Sequence, residues 1–184
     1  ILGAIQDNGS FERGWLLGYG KDSFYFAITS EGTKRLTYLN STTVYSPNFW
    51  YHLAGTYDGK LQRIYMDGKM VGESKAQTGD IFYPPSGQFM LGAYHDDNEQ
   101  YPMEGQIESI QLWDRALTAE EVDRLARLLE ARCERRWRAA AGARDVENDE
   151  SVSNTSGSGT SAASLSKRQR RRRRRRKEQL RRQR

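Results

Sequence analysis

The chain has one cysteine, Cys133, in 184 residues. A lone thiol excludes an internal disulfide, so whatever folds here is held by packing. Its two histidines, His52 and His95, form no cysteine–histidine cluster of the kind that holds zinc, and they offer no base to a nucleophilic triad. His52 follows Trp50 in an aromatic run and reads as a solvent-facing or hydrogen-bonded structural residue. No glycine loop has the spacing that cradles phosphate. No stretch approaches the roughly 18 apolar residues that cross a bilayer. The first residues, Ile1-Leu2-Gly3-Ala4-Ile5-Gln6, contain neither an initiator Met nor a basic leader region. That is expected of a chain cut from a longer one, so the missing leader does not count against export.

Size and charge come next. A length of 184 residues suits one compact domain with accessories. The formal charge of +5 hides an asymmetry. Ile1 to Thr118 holds 9 basic and 14 acidic residues, and the remainder holds 20 basic and 10 acidic. The basic character belongs to the C-terminal part alone.

From Gly14 to Trp113 the texture is of short apolar or aromatic runs separated by Gly, Asp-Gly, Pro or Asn. Phe24, Phe26 and Ile28 alternate with Tyr25, Ala27 and Thr29, the period of two that a half-buried strand requires. The pairs Asp58-Gly59 and Asp67-Gly68 bracket Leu61–Met66, which predicts three consecutive antiparallel strands joined by tight turns. Further strands are predicted at Trp15–Tyr19, Lys34–Leu39, Tyr51–Tyr57, Met70–Ser74, Gln88–Ala93 and Gln106–Trp113. Trp50, Leu53 and Tyr57 are expected in the core, and Gly55, Gly92 and Gly105 at close approaches or bulges.

At Thr118 the pattern changes. Thr118 and Glu121 have the spacing of a capping box, and Val122, Leu125, Leu129, Cys133 and Trp137 fall on one helical face. This predicts an amphipathic helix over 118–142, packed on the preceding domain or self-associating, with Gly142 as its stop. Residues 143–184 are expected to be disordered: a Ser/Gly-rich linker, then a tail from Lys167 with almost no apolar content.

The set Trp50-Tyr51-His52-Leu53-Ala54-Gly55-Thr56-Tyr57-Asp58-Gly59, Ile64-Tyr65-Met66-Asp67-Gly68-Lys69-Met70-Val71, Leu91-Gly92-Ala93 and Ile107-Glu108-Ser109-Ile110-Gln111-Leu112-Trp113-Asp114-Arg115-Ala116-Leu117 resembles, in order and spacing, a laminin-G-like, concanavalin A-like lectin/glucanase domain. The resemblance covers 1–117 and lacks the family's opening strands. It implies an all-β fold, an antiparallel two-sheet jelly-roll sandwich. It also implies a non-catalytic module of a larger protein, binding a glycan or an extracellular protein ligand with Ca²⁺ as an aid.

Candidate chemistry is sparse. Glucanases of similar fold need paired carboxylates on one strand, and the nearest pair here is Glu104 with Glu108, separated by Gly105 and without the acidic triplet of those enzymes. They are expected to be surface carboxylates, and the chain is not expected to be an enzyme. The loop Asp96, Asp97, Asn98 and Glu99, with Asp80 in a preceding loop, offers the hard oxygens that Ca²⁺ takes in irregular geometry. A solvated acidic hairpin tip is the plainer reading of the same residues. At the C-terminus, Lys167, Arg168, the unbroken run Arg170, Arg171, Arg172, Arg173, Arg174, Arg175 and Arg176, and Lys177 could neutralise a polyanion such as nucleic acid or a heparin-like glycan. No aromatic residue interleaves them, so such binding would be sequence-blind and salt-sensitive. That alternative makes the sandwich a scaffold. An exported or cell-surface location follows from the resemblance, a nuclear one from reading the tail as an import signal.

Overall fold

In the computed structural model of the chain, residues 1–7, 12–86, 88–95 and 99–132 are described. The chain divides into two units, Ile1–Arg138 and Ala139–Arg184, and the described residues all belong to the first. The predicted linker and arginine tail lie outside them, as do Cys133 and Trp137 of the predicted helix face.

Among the described residues ten strands pair antiparallel, and one helix follows them. Strands β1 (Leu2–Asp7), β2 (Glu12–Tyr19), β3 (Ser23–Ile28), β4 (Thr37–Val44) and β8 (Met90–Leu91) make a five-stranded sheet in the order β4-β3-β2-β1-β8. Strands β5 (Leu53–Tyr57), β6 (Gln62–Met66) and β7 (Lys69–Ser74) make a second sheet. Strands β9 (Ala93–His95) and β10 (Gln100–Pro102) form a hairpin. Helix α1 spans 119–132. This is the expected all-β sandwich.

The period of two decides what each face does. Phe24, Phe26 and Ile28 point between the sheets, where they meet Leu2, Leu17, Ile64, Met66 and Val71. Replacing one of these large side chains by Ala costs about 2–5 kcal/mol. Gly55 in β5 faces the same core, and a Cβ there would stand 2.8 Å from the Phe26 ring, so close sheet approach is why glycine sits at that position. The β6–β7 turn also follows expectation: Asp67 and Gly68 take φ of 52° and 81°, the left-handed pair of a tight hairpin. At Asp58 the side chain makes the turn, its Oδ1 accepting from the Leu61 and Lys60 amides at 2.7 and 3.0 Å. Those amide bonds, the Leu61 one foremost, hold its carboxyl below the usual carboxylate range.

Helix α1 covers the outer face of the second sheet. Leu117 and Val122 are buried against Tyr65, with Ala54 and Leu125 at the margin. The capping box forms as expected: the Glu121 amide donates to Thr118 Oγ1 at 3.3 Å, and the Thr118 amide donates to Glu121 Oε2 at 2.9 Å. Arg115 clamps the same carboxylate with two hydrogen bonds of 2.6 and 2.8 Å.

Four expectations need correction. Lys34–Leu39 is not a strand: Lys34 has φ 52° and donates to the Ser30 carbonyl at 2.7 Å, which makes a turn and delays β4 to Thr37. Gln88–Ala93 is broken by Gly92 at φ 72° into β8 and β9. Gln106–Trp113 has no strand among the described residues, and Leu112 and Trp113 are 61% and 52% exposed. A strand needs a partner edge, and no described strand pairs with this segment. Trp50, expected in the core, is 58% exposed ahead of β5, while Leu53 and Tyr57 do pack against the core. Two strands escaped prediction altogether. Strand β1 is poor in β-branched residues, and β10 is only three residues long.

Candidate functional site

The outer face of the five-stranded sheet carries the polar aromatic residues. Cross-strand register sets Gly3, Leu16, Ala27 and Tyr38 side by side in one row across β1 to β4. The neighbouring row holds Gly18, Tyr25 and Asn40. Small residues keep the floor low. At Gly18 a Cβ would come within 2.7 Å of the Tyr25 ring, so glycine lets that ring lie across β2. Tyr25 and Tyr38 meet edge to face, their centroids 5.4 Å apart at 70°.

The β9–β10 hairpin raises one wall. Its register pairs Tyr94 with Tyr101, and these rings stack at 6.1 Å and 25°. Tyr19, at the end of β2, accepts a hydrogen bond from the Glu104 amide at 3.1 Å, which ties the segment after β10 to the sheet. Together these elements enclose an open cleft of about 430 Å³. Tyr19, Tyr25, Tyr38, Tyr94 and Tyr101 line it, with Leu16, Gly20, Pro102, Met103 and Ile1 between them. Among the described residues of the lining the acids are Asp7 and Glu99, and none is Lys, Arg or His.

That charge balance registers on the phenols. Tyr38 is pushed up to about 12, by burial first and then by the negative charges of Asp7, Glu12 and Glu99 with Tyr25. Burial, with Tyr19 second, also raises Tyr25. Tyr25 and Tyr38 are therefore neutral hydroxyls at physiological pH, able to donate and accept.

Of the four residues expected to hold calcium, Asp96, Asp97 and Asn98 lie outside the described residues. Glu99 is described, and it lines the cleft. No group of three or more metal-holding side chains occurs among the described residues. The two described carboxylates at the cleft would by themselves fall well short of the six to eight oxygens that Ca²⁺ takes. Asp80 lies apart from the cleft lining, in the loop that crosses to β3 through the Ser30–Ile81 bridge. Lys167, Arg168, Arg170–Arg176 and Lys177 also lie outside the described residues.

The remaining candidates are structural or solvated. Glu104 and Glu108 sit exposed in irregular chain, so the same-strand geometry that a carboxylate pair needs is not formed there. His52 anchors the start of β5: its amide donates to Asp67 Oδ1 at 2.9 Å, and its carbonyl accepts from the Asp67 amide at 2.8 Å. Burial holds its imidazole below the usual histidine range, against the opposing pull of Asp67. His95 is exposed on β9. Among the described residues no helix is long and apolar enough to cross a membrane.

Sequence reasoning singled out only Glu99 of the cleft. A signal for the rest was present in β3. Once Phe24, Phe26 and Ile28 are assigned inward, Tyr25 must face out, and an outward tyrosine flanked by glycine strands marks a surface with room above it.

Comparison with known proteins agrees with this fold. Residues 2–123 match the laminin G-type family model described as the concanavalin A-like lectin/glucanases superfamily. Pappalysin-1 of Mus musculus is 31% identical over 133 residues, and that of Homo sapiens 30% over the same length. In both cases the match takes in 66% of this chain and 8% of the relative, so the chain spans less than a tenth of these proteins. A crystal structure of residues 221–444 of an S-layer domain-containing protein from Clostridium thermocellum is 25% identical, covering 66% of this chain and 59% of that one. Its TM-score of 0.40 is too low to carry structural weight. The chain belongs to the concanavalin A-like lectin/glucanases superfamily through its laminin G-type domain.

Proposed function

We propose that this laminin G-type domain is a non-catalytic recognition module, of the kind its relatives carry within a longer chain, and that it holds its ligand in the tyrosine-lined cleft. The observation that supports this reading is the convergence of five tyrosines from three strands and a hairpin onto one open space. Part of this sheet face is packed, around Ile5, Leu16, Ala27 and Leu36, and the tyrosines border that packed patch while leaving the cleft open. Tyrosine serves recognition well, since its ring gives contact area at low entropic cost and its hydroxyl gives direction. A cleft of this size takes a few sugar units or side chains of a protein ligand.

Calcium enters the proposal through the β9–β10 loop. Its residues Asp96, Asp97, Asn98 and Glu99 would supply oxygens beside the ligand, and Glu99 already lines the cleft. The arginine run supports a second, separable activity, the binding of a polyanion through the tail. A glycan array and a peptide array, probed with the full chain and with the chain lacking Lys167–Arg184, test both. Ligands retained after the deletion belong to the domain, and ligands lost with it belong to the tail. An array with no ligand that survives the deletion sinks the recognition reading.

A further inference from the structure

We infer that the chain accepts an N-linked oligosaccharide at Asn40 whenever it enters a secretory lumen, and that the sugar stands on the outer face of β4. The sequence supplies the motif. Asn40-Ser41-Thr42 is an Asn-x-Thr triplet with no proline in its middle position, the acceptor signal for this modification. The same kind of signal recurs at Asn8-Gly9-Ser10 and Asn154-Thr155-Ser156, both outside the described residues. Asn40 therefore heads the one such triplet among the described residues.

Placement is the second reason, because a bulky, hydrated sugar must stand on the surface. Strand β4 is an edge strand of the five-stranded sheet. Its alternation turns Leu39 and Ser41 inward and leaves Asn40 exposed. The register partner of Asn40 on β3 is Tyr25. The Tyr25 ring lies over Gly18 of β2, the strand on the far side of β3, so it leans away from Asn40. Tyr25 and Tyr38 both line the cleft, which sets the first sugars at its β4 rim.

The rest of the triplet fixes when the transfer happens. In the fold the Thr42 hydroxyl donates to the Val71 carbonyl of β7 at 2.9 Å. Ser41 is buried beside it, its Oγ accepting from the Phe24 amide at 3.2 Å. The hydroxyl that the acceptor signal needs is engaged once β7 has docked, so transfer belongs to the unfolded chain, before the sandwich closes. In that step Asn40 Nδ2 bonds to the anomeric carbon of a polyprenyl-diphosphate-linked oligosaccharide. The bond from that carbon to the phosphate oxygen breaks, the lipid diphosphate leaves with the bonding pair, and the amide gives one proton to a base of the transferase. The finished fold accommodates the product because Asn40 stays on the exposed side of β4.

The test expresses the full chain behind a cleavable secretory leader in cultured mammalian cells and pools the product from medium and lysate. Chains whose leader has been removed have reached the lumen, and only these are scored. They are denatured, treated with peptide N-glycosidase in ¹⁸O-water, which turns each glycosylated asparagine into ¹⁸O-labelled aspartate, and mapped by peptide mass spectrometry. The expected result is labelled aspartate at position 40 in most chains, lost in Asn40→Gln and in Thr42→Ala and kept in Thr42→Ser. The readout is made on denatured peptides, so a variant that folds poorly still gives an answer. Plain asparagine at position 40 in chains that have lost their leader overturns the inference. So does label confined to positions 8 and 154, or label at 40 that survives Thr42→Ala.

Discussion

Gln77 shows most clearly how a single side chain can hold distant pieces of this chain together. It is fully buried, and its amide is saturated. Its Oε1 accepts from the Ser30 amide and hydroxyl at 2.9 and 2.6 Å, while its Nε2 donates to the Arg35 carbonyl and Thr37 Oγ1 at 2.8 and 2.9 Å. Replacing it by Leu removes all four bonds and strands buried polar partners, each worth about 1–3 kcal/mol of desolvation. Gln77→Leu should therefore lower stability by about 3 kcal/mol or more in urea unfolding, well beyond an exposed substitution such as Lys75→Leu. Nothing local marks this residue in the sequence. It stands among Ser, Lys, Ala, Thr and Gly, a loop composition, and its partners lie 40 to 47 residues away. Asp67-Gly68, by contrast, was legible because a tight turn is a property of two adjacent residues.

Tyr38 gives a pH prediction at the same scale. Its phenol ionises near 10 when unfolded and at about 12 in the fold. A group whose folded value is raised contributes stability that is complete below pH 10 and is lost as pH climbs towards 12. Stability should fall across that interval, and absorbance at alkaline pH should show Tyr38 among the late-titrating tyrosines, with Tyr25, Tyr45 and Tyr57 also raised. The Tyr38→Phe variant should lose the latest part of that titration.

Elements were legible where periodicity and punctuation agreed. Strand β3, the β5–β6–β7 meander and the start of α1 all combine a clear period with an explicit turn or cap. Thr118→Ala removes the helix cap and should cost about 1 kcal/mol, read as a lower urea midpoint with an unchanged slope. Gly55→Ala should cost about 1–3 kcal/mol by overpacking against Phe26, although alanine suits a strand at least as well as glycine does. Elements were misread where tertiary context decides. Ser30–Lys34 becomes a turn because Lys34 closes it on the Ser30 carbonyl, and the amide of Leu36 is then fixed by Glu12 at 2.7 Å from another strand. Gln106–Trp113 has a strand's sequence and lacks a strand's partner.

For the whole molecule, the division of labour runs between two outer faces. Helix α1 packs on one sheet, and the other carries a small buried cluster around Ile5, Leu16, Ala27 and Leu36 beside an open, tyrosine-lined hollow. The fold was legible because a sandwich repeats the same signal many times along the chain. The cleft was not, because it gathers residues from β1, β2, β3, β4 and the late hairpin, and only Glu99 carried an obvious chemical mark. Calcium is tested at this scale too. A ligand that binds only the native state must raise its stability, so the melting temperature should climb with free Ca²⁺ and stop responding in Asp96→Ala or Asp97→Ala. A flat response in the parent chain removes calcium from the account.

The most direct check on the cleft is calorimetric affinity for the best ligand from the arrays, compared between the parent chain and Tyr101→Ala. Tyr101 is 60% exposed, so its loss should leave the fold and its melting temperature nearly unchanged. The account predicts an affinity at least tenfold weaker in the variant, with Tyr38→Ala weaker still. Undiminished affinity in both would place the ligand elsewhere on the domain.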